Sequence, residues 1–179
     1  KGEGIYTGAG NPEPEDKLPV YYMWEEVLTK DSILELIKKF IFIETKDEPD
    51  VETGKTKTKE TVIFPRFHQL DLIRKLLIDI KDNKTNLNYL IQHSAGSGKT
   101  NSIAWLAHRL VSLHDDENNV IYDTTIIVTD RVVVDRQLQK AVLSIEHAHG
   151  LIKTMDDNCS SKDLKEALES ETKIVVTTI

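Results

Sequence analysis

NLNYLIQHSAGSGKT, residues 86–100, reads as three successive pieces of backbone. Tyr89, Leu90 and Ile91 form an apolar run that predicts a buried strand. Ser94 to Gly98 are too small and flexible to continue it, and predict a loop. From Thr100 onward, Ile103, Leu106, Ala107, Leu110 and Val111 recur at helical spacing and predict an amphipathic helix. Strand, glycine loop and helix in that order suit the binding of a phosphate chain, because amides converge at a helix N-terminus. Ala95, Gly96, Ser97 and Gly98 would wrap the phosphates, with the two glycines letting backbone approach closely. Lys99 would reach the β- and γ-phosphates and the Thr100 hydroxyl would ligate Mg2+. The expectation is a nucleoside triphosphate site.

One position departs from the general G-x-x-x-x-G-K-T pattern, since His93 stands where the first glycine belongs. Nucleic-acid motors tolerate a non-glycine there more often than small kinases and GTPases do, which tilts the choice of class towards a motor. A second motif supports a purine: Phe64-Pro65-Arg66-Phe67-His68-Gln69 ends 30 residues before Lys99. The Gln69 carboxamide can accept from adenine N6 and donate to N7, with Phe67 beside it, which selects ATP over GTP. The plainer reading of Gln69 is a polar residue on the first turn of a helix.

Composition narrows the class. The chain has 179 residues, 39% of them apolar, enough for one good core and a small appendage. Cys159 is its single cysteine, so no internal disulfide can form, which fits a reducing compartment. No apolar run approaches the roughly 20 residues that span a bilayer. A net charge of −7 argues against an indiscriminate nucleic-acid binder. Residues 1–60 carry 9 lysines and no arginine against 14 acids, a balance of −5, and residues 61–179 hold the remaining −2. All five arginines, Arg66, Arg74, Arg109, Arg131 and Arg136, lie in the second part. Lys1 stands where an initiator Met would be, and the chain stops inside a strand-like run, so an internal segment of a longer protein is expected.

Residues 1–20 read as an extended arm, and Tyr22-Met23-Trp24 leads into a short helical stretch. A second helix is predicted from a Ser32/Glu35 capping box, with Ile33, Leu36, Ile37, Phe40 and Ile41 inward. The charged residues 46–60 predict an exposed loop or a long hairpin, with Glu44 and Lys46 as solvated loop charges rather than nuclease groups. Val62-Ile63-Phe64 reads as extended, then residues 66–82 as a helix with Leu70, Ile73, Leu77 and Ile80 inward. Residues 125–130 read as a buried strand, 132–143 as a helix, 144–161 as irregular, 162–170 as a helix and 173–178 as a last strand. Strands alternating with helices predict an α/β fold with a mainly parallel sheet covered on both faces. Asp115-Asp116-Glu117 reads as a helix-end loop, and the histidines with Cys159 form no zinc pattern.

In series, FPRFHQ (64–69), the run into HSAGSGKT, IIVTDRVVVDRQLQ (126–139) and VVTTI (175–179) resemble superfamily 2 helicases. They resemble most closely the R (restriction and motor) subunit of type I restriction-modification enzymes. GAGNP (8–12) and YYMWEEVLTKDSILELIKKFI (21–41) are similar to the segment joining that family's nuclease to its motor.

The resemblance implies a P-loop, RecA-like three-layer sandwich at 61–179, after a small helical connector at 1–60. It implies ATP and Mg2+ as cofactors, double-stranded DNA and the modification and specificity subunits as partners, and a prokaryotic cytoplasm. It also implies that Thr129, Asp130, Arg131, Thr177 and Thr178 face the DNA backbone. The 179 residues alone are then expected to bind ATP without turning it over. A rival stays open, in which Asp130, 31 residues after Lys99, is the Mg2+-linked acid of a kinase-like or regulatory module.

Overall fold

The computed structural model describes residues 16–18, 20–49, 56–83, 87–130, 132–145, 150–155 and 159–178. The opening arm to residue 15, Arg131, His147, His149 and Ile179 lie outside them, as do residues 50–55 of the charged segment. The chain divides into two compact units, residues 1–72 and 73–179.

In the first unit the short helical stretch is a π-helical turn, Met23–Val27. Helix α1 runs from Lys30 to Lys39, starting two residues before the expected Ser32 cap. The reason is local: Thr29 is extended (φ −66°, ψ 152°) and is itself the N-cap position, which leaves Ser32 buried in the first turn. Leu36 and Phe40 are buried as expected, whereas Ile37 is exposed.

The charged segment takes the hairpin form. Strands β1 (Phe42–Pro49) and β2 (Thr56–Ile63) pair antiparallel from Phe42↔Ile63 to Pro49↔Thr56. Glu44 and Lys46 therefore sit on a strand, not a loop, and form an ion pair at 2.8 Å. That pair offsets the like charges of Lys46 and Lys59, which stand opposite one another. Thr58 Oγ1 donates to Asp47 Oδ1 across the ladder at 2.9 Å. Val62 and Ile63 belong to this hairpin rather than to a separate βα unit.

Helix α2 (Phe67–Asn83) buries Leu70, Ile73, Leu77 and Ile80 as the periodicity predicts, with Leu76 beside them. The second unit then follows α3 (Lys99–Leu110), β3 (Thr125–Thr129), α4 (Val132–Ser144), β4 (Ile152–Thr154), α5 (Ser161–Glu169) and β5 (Ile174–Thr178). The strands form a parallel sheet in the order β3-β5-β4, with Thr125 opposite Ile174 and Ile152 opposite the same residue. β4 lies within residues expected to be irregular; three residues are too few to show alternation. Ile174, Val175 and Val176 of the central strand are fully buried. On β3 burial alternates, Ile127 and Thr129 inward, Ile126 and Val128 outward. Ile126 and Val128 are about half exposed on this edge strand, at 49% and 55%.

Helices α3 and α4 pack together, and His108 Nε2 lies 2.9 Å from the Val142 carbonyl. A carbonyl only accepts, so that nitrogen carries the proton. The buried face of α3 is Ser102, Ala104, Trp105 and Ala107, with Trp105 at 0% exposure. Of the residues expected inward, Ala107 is buried and Ile103 is exposed. On the far side Met155, Ala167 and Val175 form a small core with Cys159 and Leu164 against it. The amide and hydroxyl of Ser160 both donate to Asp163 Oδ2 at 2.6 Å, fixing the start of α5 and holding that carboxyl below its ordinary range.

The segment meant to feed the phosphate loop is the main correction. Residues 87–94 adopt no regular structure, and Leu90 is 95% exposed. Among the described residues no strand pairs with it, and a run of amides without a ladder is not a strand however apolar its side chains. Tyr89 is held instead by its phenol, which donates to Asp79 Oδ2 at 2.6 Å. This bond pushes the phenol pKa up to about 12.

Candidate functional site

The loop itself has the conformation its residues require. Gly96 (φ 73°) and Gly98 (φ 84°) are both left-handed, a region that costs other L-residues energy. Gly98 is the N-cap of α3 with ψ 33°, so the chain turns there directly into the helix. Asn101 N and Ser102 N both donate to the Gly98 carbonyl at 3.1 and 3.2 Å, closing the first turn. Lys99 and Thr100 are thereby the first two helical residues, at the positive end of α3. Ser97 N donates to Ser94 O at 3.3 Å and closes the loop on itself.

Lys99 is exposed and its Nζ folds back over the loop, donating to the carbonyls of Ser94 (2.8 Å) and His93 (3.2 Å). The ammonium is therefore poised above the loop by two neutral acceptors that an anion can outcompete. Thr100 is half-buried one residue on. Its hydroxyl is a hard oxygen of the kind Mg2+ takes, and Mg2+ characteristically fills its remaining positions with phosphate oxygens and water. The residues present fit both a triphosphate and its metal. Among the described residues no three His, Cys, Asp or Glu side chains come together as a metal cluster.

Gln69 lies in the first unit, at the third position of α2, and is 3% exposed. Its Oε1 accepts from the Arg66 amide at 2.9 Å, the return half of a capping box. The helix-start role is thus realised. A carbonyl oxygen accepts two hydrogen bonds, so capping does not exhaust its chemistry. Phe67 packs its ring against Tyr22, centroids 5.3 Å apart and planes tilted by 59°.

Residues expected to face nucleic acid fall into three settings. Asp130 is exposed at the end of β3, Thr177 and Thr178 are half-buried on β5, and Arg131 is outside the described residues. Thr129 is buried, and its Oγ1 donates to Asp135 Oδ1 at 3.3 Å. Asp135 is itself 4% exposed and accepts from Gln139 Nε2 through its other oxygen. This trio, with Thr129 and Asp135 buried and Gln139 half-buried, escaped the motif reading, although Asp135 and Gln139 stand four apart on one helix face, a legible signal. Asp115-Asp116-Glu117 is a loop as expected: Asp115 Oδ1 accepts from the amides of Glu117 (3.0 Å) and Asn119 (2.8 Å), and Asn118 is left-handed at φ 64°.

Residues 68–179 match the family model described as SWI2/SNF2 ATPase. Two proteins of Methanocaldococcus jannaschii are similar. One, named as a type I restriction enzyme MjaVIIIP endonuclease subunit, is 26% identical over 152 residues, 78% of this chain and 14% of that protein. The other, named as a type I restriction enzyme MjaVIIP endonuclease subunit, is 32% identical over 123 residues, 67% of this chain and 10% of that protein. The chain therefore spans a small part of the length of these relatives. No solved structure matches.

Proposed function

Because the chain belongs to the SWI2/SNF2 ATPase family, we propose that it is the ATP-binding part of a type I restriction enzyme's R subunit. Residues 1–60 would be the connector after a nuclease, and residues 61–179 most of the first RecA-like lobe in its three-layer sandwich. ATP would lay its phosphates on Ala95–Thr100, with Lys99 leaving the His93 and Ser94 carbonyls for the β- and γ-phosphates. Thr100 would hold Mg2+, which when bound neutralises the phosphate charge. Gln69, with Phe67 beside it, would select adenine. Asp130, Arg131, Thr177 and Thr178 would form the surface turned to double-stranded DNA, with the buried Thr129 behind it. ATP hydrolysis in the whole enzyme would drive translocation and cleavage, with modification and specificity subunits as partners in a prokaryotic cytoplasm. The observation that carries the reading is the loop, where two left-handed glycines deliver Lys99 and Thr100 to the start of α3.

The second reading, a kinase-like or regulatory module with Asp130 as the Mg2+-linked acid, draws on that residue's exposed place at a strand end. One calorimetric experiment separates them. Lys99→Ala is expected to weaken ATP binding by about 1.5–3 kcal/mol, the range for hydrogen bonds to charged groups. Unchanged affinity would falsify the loop assignment. Asp130→Asn is expected to leave both affinity and its Mg2+ dependence unchanged; loss of the Mg2+ dependence favours the kinase-like module.

A further inference from the structure

We propose that Asp135 is a positioning residue for the DNA-facing end of β3, and that Thr129 acts through it rather than by touching phosphate. The inference rests on the reading of residues 129–131 as part of a duplex-binding surface. Its basis is the direction of one hydrogen bond. A threonine hydroxyl has a single proton to give, and the Thr129 proton goes to Asp135 Oδ1. Phosphate oxygens offer acceptors only, so the same hydroxyl cannot donate to DNA while it serves Asp135.

Burial agrees, because Thr129 points inward on the alternating β3. Asp135 then has a job the nucleotide site does not use. It sits in the first turn of α4, where a negative charge meets the positive end of the helix. Its two oxygens tie the last residue of β3 to Gln139, one turn further along α4. Asp130 and Arg131 are the two residues between these elements in the sequence, so the tie joins the elements that precede and follow them. A carboxylate this deeply buried is costly unless its hydrogen bonds are made, so strand end and helix start are held together as a unit.

The test uses the intact protein and a labelled duplex of arbitrary sequence at about 0.1 M salt. Unmutated protein that does not bind the duplex overturns the DNA reading and this inference with it. If it binds, Asp135→Ala should weaken duplex binding about tenfold, as for loss of a charged hydrogen bond, with ATP affinity unaltered. Asp135→Asn should restore most of it: the carboxamide oxygen still accepts from Thr129, and Gln139 can turn its own amide to accept. Thr129→Val should weaken binding alone and add nothing to Asp135→Ala, whereas Thr129→Ser, which keeps the donor, should bind normally. Additive losses would show that Thr129 touches DNA itself, and would overturn the proposal while leaving the DNA reading intact. Normal binding by Thr129→Val overturns it equally. Should Asp135→Ala unfold, with ATP binding also gone, Asp135→Ser takes its place in the same cycle with Thr129→Val.

Discussion

Residues 174–178 and residues 87–91 are built from similar material, IVVTT in one case and LNYLI in the other. The first is the centre of a parallel sheet, paired along its length with β3 on one side and at Ile174–Val176 with β4 on the other. The second has no ladder and turns Leu90 to solvent. Side-chain hydrophobicity is nearly the same; the neighbours differ. A strand is a property of a pair, because every amide and carbonyl along it needs a partner and only an adjacent strand offers them in series. The phenol–carboxylate bond from Tyr89 to Asp79 helps to hold the second region. The phosphate loop is shaped from its helix side, by Gly98 and α3, more than from its strand side.

The contrast can be broken most directly in the sheet. Ile174 is 1% exposed, and Ile174→Ala should destabilise the chain by about 2–5 kcal/mol in denaturant unfolding, the usual cost of truncating a buried isoleucine. A loss below about 1 kcal/mol would mean that β5 is not the centre of a packed core.

The phenol–carboxylate bond is the next most sensitive point. Tyr89 should ionise at about 12, read by tyrosinate absorbance, because Asp79 accepts its proton. Asp79→Asn should bring it back toward the ordinary phenol value near 10. The folded value lies above the unfolded one. The bond's contribution to stability is therefore complete below about pH 10 and lost as the pH rises through about 12. Ordinary titration in the unmutated chain would mean the tether is not formed.

Leu90 should show the smallest effect. Its side chain is already in water, so Leu90→Ala should change stability by no more than about 0.5 kcal/mol. A loss as large as that at Ile174 would show that 87–91 is a buried, paired strand in solution, and the contrast would disappear.

The difference also marks what a single sequence could disclose. Helix α2 was legible from Leu70, Ile73, Leu77 and Ile80, because these four recur at helical spacing and all are buried. Helix α3 was legible as a helix but its buried face was not, for it carries Ile103 and Leu110 on one side and Trp105 on another, and periodicity cannot say which side meets α4. The edges of β3 and β5 were readable from their β-branched runs, whereas pairing depends on residues far away in sequence. In the site, the glycines announced the loop, since few other residues adopt φ 73° or 84°. Thr129 was read as an outward contact because its motif was recognised, and its partner Asp135 came to light only when strand end and helix start were brought together.

The reach of Lys99 back to Ser94 and His93 ties the loop's ammonium to the loop's own carbonyls. On the proposed reading nucleotide entry would be an exchange, in which two carbonyls give up the ammonium before the phosphates take its charge. Two carbonyls return to water in the process, so the observed affinity is the difference between two sets of bonds. A bare nucleoside brings nothing to draw the ammonium away. Its affinity should be indifferent to Lys99, and discrimination between nucleoside and triphosphate becomes a measure of how firmly the lysine holds its resting place.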